Sequence, residues 1–423
     1  MSRKILLTIM LLAFVKVSAQ EAKKEDTFKF SGQAYVYTAT YNHIIKDRSM
    51  SFSAYRFRPY FSYKTENVEA TLKLELDQYL GSRVNEPNES NYVKIGADTK
   101  NVLEVKAAYV MFNNIFTEGL YAKGGVDDYK TPGGFIVGTD VGFGTLGYKW
   151  DKNNISAVFI KVDEGKPDLK KDDTQLYGID ATITLPILTI RPAFYMIQGG
   201  KGITDKPWSD NTAILPAISI TSKIENIDMG VSFTYGSGED KISNKKYSGY
   251  AVDANINYLI NKDIKIGVFF TNLSGDKAST TDKKEGFASF QLKHDGFGRM
   301  FLIENQQTFS NIAPDTFADI RAKEQGYMLV GITSNVKFDI ISIKLNAGFA
   351  QLMQKVSDIK PKKDLGIEID LSTSIEVAKN ANIVLEGAYL ATGKGFGPDG
   401  LNMTSGKDVQ SAIYLASGLL VKF

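Results

Sequence analysis

The sequence predicts an all-β fold, a closed transmembrane antiparallel up-and-down barrel of about 18 strands, with 16 or 20 as the alternative counts. Three observations lead there. Apolar residues recur at every second position over segments of about ten residues, the links between segments alternate short and long, and the chain closes on an alternating strand ending at Phe423.

Composition narrows the class before any segment is read. With 43% hydrophobic and 23% charged residues and a mean hydropathy of -0.17, the 423-residue chain is neither a disordered polymer nor a bundle of apolar helices. Tyr (21), Phe (25) and Gly (37) against 11 Pro favour strands and turns. A net charge of +2 argues against a nucleic-acid partner. Cysteine is absent, which removes disulfides and thiolate chemistry, and the two histidines, His43 and His294, lie far apart in long polar links. No nucleophile motif accompanies them, so no enzyme, catalytic residue, metal or cofactor is expected. Asp127 with Asp128, and the acids in 238–240, read as solvated acidic tips.

The elements follow in chain order. Residues 1–19 carry basic Arg3 and Lys4, an apolar run from Ile5 to Val15 and small residues up to Ala19, the three parts of an export signal, with residues 20–27 as a short periplasmic segment and a single barrel domain over 28–423. Val68, Ala70, Leu72, Leu74 and Leu76 alternate with Glu69, Thr71, Lys73 and Glu75. Leu103, Val105, Ala107 and Tyr109 do the same against Glu104, Lys106 and Ala108. The series Tyr250 to Tyr258 and Ile341 to Phe349 repeat the pattern. Short links fall at 65–67, 113–119, 151–154, 186–187, 225–226, 261–263, 339–340 and 379–381. Long ones fall at 42–50, 80–101, 130–140, 164–174, 199–213, 237–248, 275–326, 355–364 and 392–409. Tight periplasmic turns and longer outer loops give this alternation, which distinguishes a membrane barrel from a soluble sandwich. Tyr63, Phe112, Trp150, Tyr258, Phe270 and Tyr389 stand near strand ends, where interfacial aromatic girdles sit. On the last strand Ile413, Leu415, Leu419, Val421 and Phe423 share one face, and Leu419, Val421 and Phe423 are read as the signal for the barrel-assembly machinery.

The stretches YRFRPYFSY (Tyr55 to Tyr63), LEVKAAYVMF (Leu103 to Phe112) and GGFIVGTDVGFGTLGYKW (Gly133 to Trp150) resemble Gram-negative outer-membrane porins, and more distantly the alginate-export type of 18-stranded barrel. The resemblance implies a passive channel in the outer membrane, contacting lipid, lipopolysaccharide and small solutes, as a monomer or homotrimer.

If the apolar parity faces lipid, the other parity lines a lumen. That assigns Arg56, Arg58, Lys73, Glu75, Glu104, Lys106, Arg191, Lys344, Glu368 and Asp370 to the inner wall, with Arg56 opposite Glu75 and Arg58 opposite Lys73. Both signs occur, so a weakly selective diffusion channel is expected. A solute-specific channel for oligosaccharide, polysaccharide or organic acid, and a structural sheath around a partner protein, are the alternatives. Gly133, Gly134 and Phe135 mark one link suited to fold inward as a constriction. The long link 275–326 is expected either to occlude the lumen or to add a hairpin.

Overall fold

The structure, a computed structural model, describes residues 26–42, 49–80, 103–163, 173–199, 212–240, 244–292, 297–309, 320–401 and 410–423. The expected export signal, His43, His294 and Trp208 lie outside the described residues.

Strands form where period-two sequences meet turn residues. The first group is β1 (Thr27–Asn42), β2 (Met50–Lys64), β3 (Val68–Tyr79), β4 (Leu103–Asn113), β5 (Leu120–Lys130), β6 (Gly138–Trp150), β7 (Asn153–Asp163), β8 (Thr174–Thr184) and β9 (Leu188–Gln198). After it come β10 (Thr212–Ile224), β11 (Ile227–Asp240), β12 (Lys245–Asn261), β13 (Ile264–Leu273) and a two-residue β14 (Lys283–Lys284). Last are β15 (Tyr327–Phe338), β16 (Ile341–Leu352), β17 (Asp364–Ala378), β18 (Ala381–Thr392) and β19 (Ala412–Lys422). Each long strand pairs antiparallel with its neighbours, and β1 pairs with both β2 and β19, so eighteen strands close into a barrel. β14 only adds a parallel bridge to β12, so the long link contributes no barrel hairpin. Closure leaves no unpaired edge in the ring, the condition for a sheet to stand in lipid.

The short turns explain themselves locally. Asp151, Glu225, Asp339 and Asn380 each take a positive φ inside one of them, the conformation that two-residue hairpins demand and that Asn and Asp tolerate best among side-chain-bearing residues. Between β2 and β3 the Thr65 hydroxyl accepts from the N–H groups of Asn67 and Val68 at 3.3 and 3.0 Å, pulling the turn tight. The hairpin is centred one residue later than expected, at Glu66 and Asn67, and this moves the register by two residues. Arg56 stands opposite Asp77, and the same ladder sets Arg58 against Glu75.

A second correction falls in β4. Between Lys73 and Leu74 of β3 the facing strand inserts one extra residue, Lys106, and the bulge reverses parity beyond it. Leu103 and Val105 face outward, but Ala107 and Tyr109 turn into the barrel and are buried, while Phe112 faces out. A third correction concerns Asp127, which is an inward residue of β5 rather than an acidic tip.

The distribution of apolar surface is inverted relative to a soluble protein. Ile179, Val268, Ile332, Ile369 and Leu415 all project outward and are about half exposed or more, 58%, 52%, 55%, 48% and 58%. A belt of this extent needs an apolar solvent. Phe112, Trp150, Tyr258 and Tyr389 stand on the same outer face. Among the described residues no helix is long and apolar enough to cross a membrane, and here the strands are the crossing elements.

Candidate functional site

The site is the lumen, and two links shape it. The first runs from Thr131 to Val137. Thr131 is fully buried, donates its hydroxyl to the Val137 carbonyl at 3.1 Å and accepts the Val137 N–H at 3.3 Å, pinching the segment into a compact turn. Gly133 and Gly134 both take positive φ, 74° and 73°. A Cβ on Gly133 would stand 2.4 Å from the Phe135 ring, so glycine is required for conformation and space alike. Phe135, Ile136 and Val137 are wholly buried.

The described residues of the second link, 275–292, 297–309 and 320–326, pack into the barrel along one side. Its Phe287, Phe290, Met300, Leu302, Ile303, Phe309 and Ile320 are almost without solvent exposure. Phe135 meets Phe297 edge-on at 5.1 Å, and the Leu292 N–H donates to the Ile136 carbonyl at 2.9 Å, so the two links lean on each other. Room comes from inward glycines. A Cβ on Gly236 would sit 2.6 Å from the Phe290 ring, and one on Gly418 would sit 2.8 Å from that of Phe309, which stacks on Tyr37 at 4.6 Å.

Polar wall residues hold this link by its backbone. Glu368 accepts the N–H groups of Leu302 and Ile303 at 2.5 and 2.8 Å, and Asp370 accepts that of Phe301 at 3.1 Å. Glu386 accepts the hydroxyl of Thr308 and, at 2.9 Å, that of Tyr414. Arg299 reaches from the link to grip both Asp253 oxygens on β12 at 2.5 and 2.7 Å, while its carbonyl accepts from Asn346 on β16 at 3.0 Å. A buried carboxylate needs such donors in place of water.

The wall formed by β2 to β6 is different in kind. Arg56 makes a two-pronged pair with Asp77 at 2.6 and 2.5 Å, and Arg58 pairs with Glu75. Lys106, placed inward by the bulge, lies 3.0 Å from Glu104, 3.3 Å from Asp140 and 3.6 Å from Glu75. Asp127 takes Lys123 at 2.6 Å and Lys73 at 3.6 Å. Lys123 also lies 3.7 Å over the Tyr109 ring, and Lys149 lies 4.4 Å over that of Tyr121. Among the described residues these ion pairs are made within β2 to β6 itself.

The expected wall residues therefore divide. Arg56, Arg58, Lys73, Glu75, Glu104 and Lys106 gather on this ion-pair wall. Glu368 and Asp370 lie beneath the long link instead, 0% and 1% exposed. Lys344 is exposed on β16, and Arg191 on β9 donates to the Lys130 carbonyl at 3.1 Å. Phe423 ends on the outer surface, 5.5 Å from the Phe30 ring and 5.8 Å from that of Phe57. The alternation alone did not single out Arg299, Asn346 and Tyr414. The inward glycines 236 and 418 were the available signal, since a lumen wall lacks side chains where something packs on it.

Solved structures share this architecture over almost the whole chain. Acinetobacter baumannii OccAB4 aligns with a TM-score of 0.57 at 10% identity, covering 95% of this chain and 100% of its own. Pseudomonas aeruginosa OccK8 (OprE) aligns at 0.56 and 9% identity over 94% and 98%, and OccK11 (OpdR) of the same organism at 0.54 and 10% over 94% and 96%. The fold is that of an outer-membrane porin. No family model and no curated protein matches the sequence. In this barrel, then, shape is shared at an identity too low to carry side-chain roles across, and the roles rest on the geometry above.

Proposed function

We propose that the chain is a channel of the Gram-negative outer membrane that passes ions and small hydrophilic solutes by diffusion through a narrowed, mixed-charge lumen. One observation carries the reading. The long link covers the inner faces of β12 and β16 to β19, whereas Arg58, Lys73, Lys106 and Lys123 line β2 to β5 beside their acids, leaving a polar boundary for a water-filled passage. Gly133, Gly134 and Phe135 act in this reading as the constriction's support, and Leu419, Val421 and Phe423 as the strand handed to the assembly machinery.

Acids balance bases on that wall, so weak charge preference is the expected behaviour. A solute-specific channel is the second reading, favoured by the extent of the inward-folded link, because a narrow section is what makes wall chemistry selective. Planar-bilayer recording with the purified protein tests both. Steady ohmic current with near-equal cation and anion permeability supports diffusion. Current blocked by one solute class supports the second reading, and a bilayer that stays silent after verified insertion rejects the channel.

A further inference from the structure

Away from the long link, at the short-turn end of the barrel, a cavity of about 520 Å³ opens against the inner faces of β8 to β13. Its wall joins amides and hydroxyls to an apolar strip, Leu185 to Leu188 with Met229. Asn255 and Asn257 stand on one face of β12, with Thr189 and Thr221 on β9 and β10. Glycines make the room. Gly230 pairs with Asn255 and Gly267 with Asn257, and a Cβ on them would come within 3.0 and 2.2 Å of the respective amide oxygens. Neither amide has a hydrogen-bond partner among the described residues. Charge at the rim is mostly cancelled, because Lys265 pairs with Asp228 at 2.7 Å and leaves Lys223 as the remaining cation.

The chemistry selects a ligand class. A primary amide presents one acceptor and two donors side by side, which matches neighbouring hydroxyl groups, each both donor and acceptor. A carboxylate would use the donors alone and leave the amide oxygens unpaired. Two residues apart on one strand face, the amides stand about 7 Å apart, a span comparable to one hexose ring. We propose that this recess is a weak subsite for a sugar-class, polyhydroxylated solute at the periplasmic mouth, a proposal that rests on the channel reading above. Weakness suits the place, since a transported solute must leave as readily as it binds.

The test uses the full barrel in a planar bilayer, with glucose or gluconate added on the short-turn side and current noise giving the half-blocking concentration. Glucose should perturb the wild-type current, and Asn255→Ala with Asn257→Ala should raise its half-blocking concentration by about tenfold while potassium chloride conductance stays the same. Should that double variant fail to form a heat-modifiable barrel, Thr221→Val at the exposed rim serves, with an expected rise of about threefold. Saturation-transfer NMR between glucose and the detergent-solubilised protein reads contact without any current. Transfer in the wild type and its loss in the variant support the subsite. Normal conductance with no glucose effect and no transfer overturns the subsite and spares the channel, whereas transfer without current does the reverse. Gluconate block with glucose inert would place recognition on Lys223 and overturn the hydroxyl assignment.

Discussion

Glu368 holds Leu302 by its backbone: a carboxylate with no solvent exposure on β17 accepts that N–H at 2.5 Å and spends its second oxygen on the next residue, Ile303. Wall and inward-folded link are thus joined through main chain, a contact that does not depend on which side chains the link carries. Glu368→Leu should release the segment, since each unpaired buried N–H costs about 1 to 3 kcal/mol. Single-channel traces of the variant should show larger and noisier steps than the wild type. Unchanged conductance would mean that Arg299 and Glu386 suffice to hold the link.

The facing of each strand is open to a paired substitution. Leu72→Arg should impair barrel formation, by about 2 to 4 kcal/mol if the residue lies at mid-membrane depth, because the outward parity of β3 meets lipid; Thr71→Arg, its inward neighbour, should be tolerated. Folding yield in lipid vesicles, read from the mobility difference between unboiled and boiled samples, checks this. Equal yields would reverse the assigned parity.

Arg56 and Lys73 separate a structural charge from a conducting one. The Arg56 side chain is 6% exposed and clamped by Asp77, so Arg56→Glu should cost about 3 to 5 kcal/mol and lower thermal stability before any effect on current is read. Lys73 is 37% exposed and lies 3.6 Å from Asp127. Lys73→Glu should leave folding intact and shift the reversal potential in a salt gradient towards cations, visibly so if Lys73 sits within about 8 Å of the narrowest section. A stable Arg56→Glu barrel would remove the structural role assigned to that pair.

Much of the barrel was legible in the sequence because lipid outside and water inside force a strict period of two, and turns must interrupt it. Leu72, Ile256, Leu345 and Leu415 face as their alternation says. The misses have local causes. Nothing in Lys106–Ala107–Ala108 announces a bulge, since alanine suits either face, and the Thr65 hydroxyl that braces the turn one residue later than expected is indistinguishable in sequence from any loop threonine. The site was legible only in outline. Glu368 and Glu75 occupy equivalent places in the alternation, yet one meets a loop backbone and the other an arginine, and that difference is decided by chain 66 residues away in one case and 17 in the other.

Gly32 and Phe423 mark the place where the ring is shut. Their main chains exchange two hydrogen bonds, Gly32 N–H to the Phe423 carbonyl at 2.7 Å and the reverse at 3.0 Å, and the terminal ring lies over the spot where a Cβ on Gly32 would stand at 2.6 Å. Gly32→Val should therefore lower the fraction of heat-modifiable barrel, as should deletion of Phe423. A variant that closes as fully as the wild type would show that the seam tolerates a side chain there.

Because β1 pairs with β19, the earliest strand to be made waits for the latest. Until the whole polypeptide has been delivered, β1 keeps one flank of unsatisfied amides and carbonyls, a ready template for a strand from any other molecule nearby. Such a chain gains little from starting early. The pairing of β1 with β19 has the greatest sequence separation in the ring and comes last, so escorting the unfinished sheet matters more to yield than the speed of any single hairpin. Chains that lack β19 should accordingly form nearly complete but open rings whose β1 flank recruits intact copies.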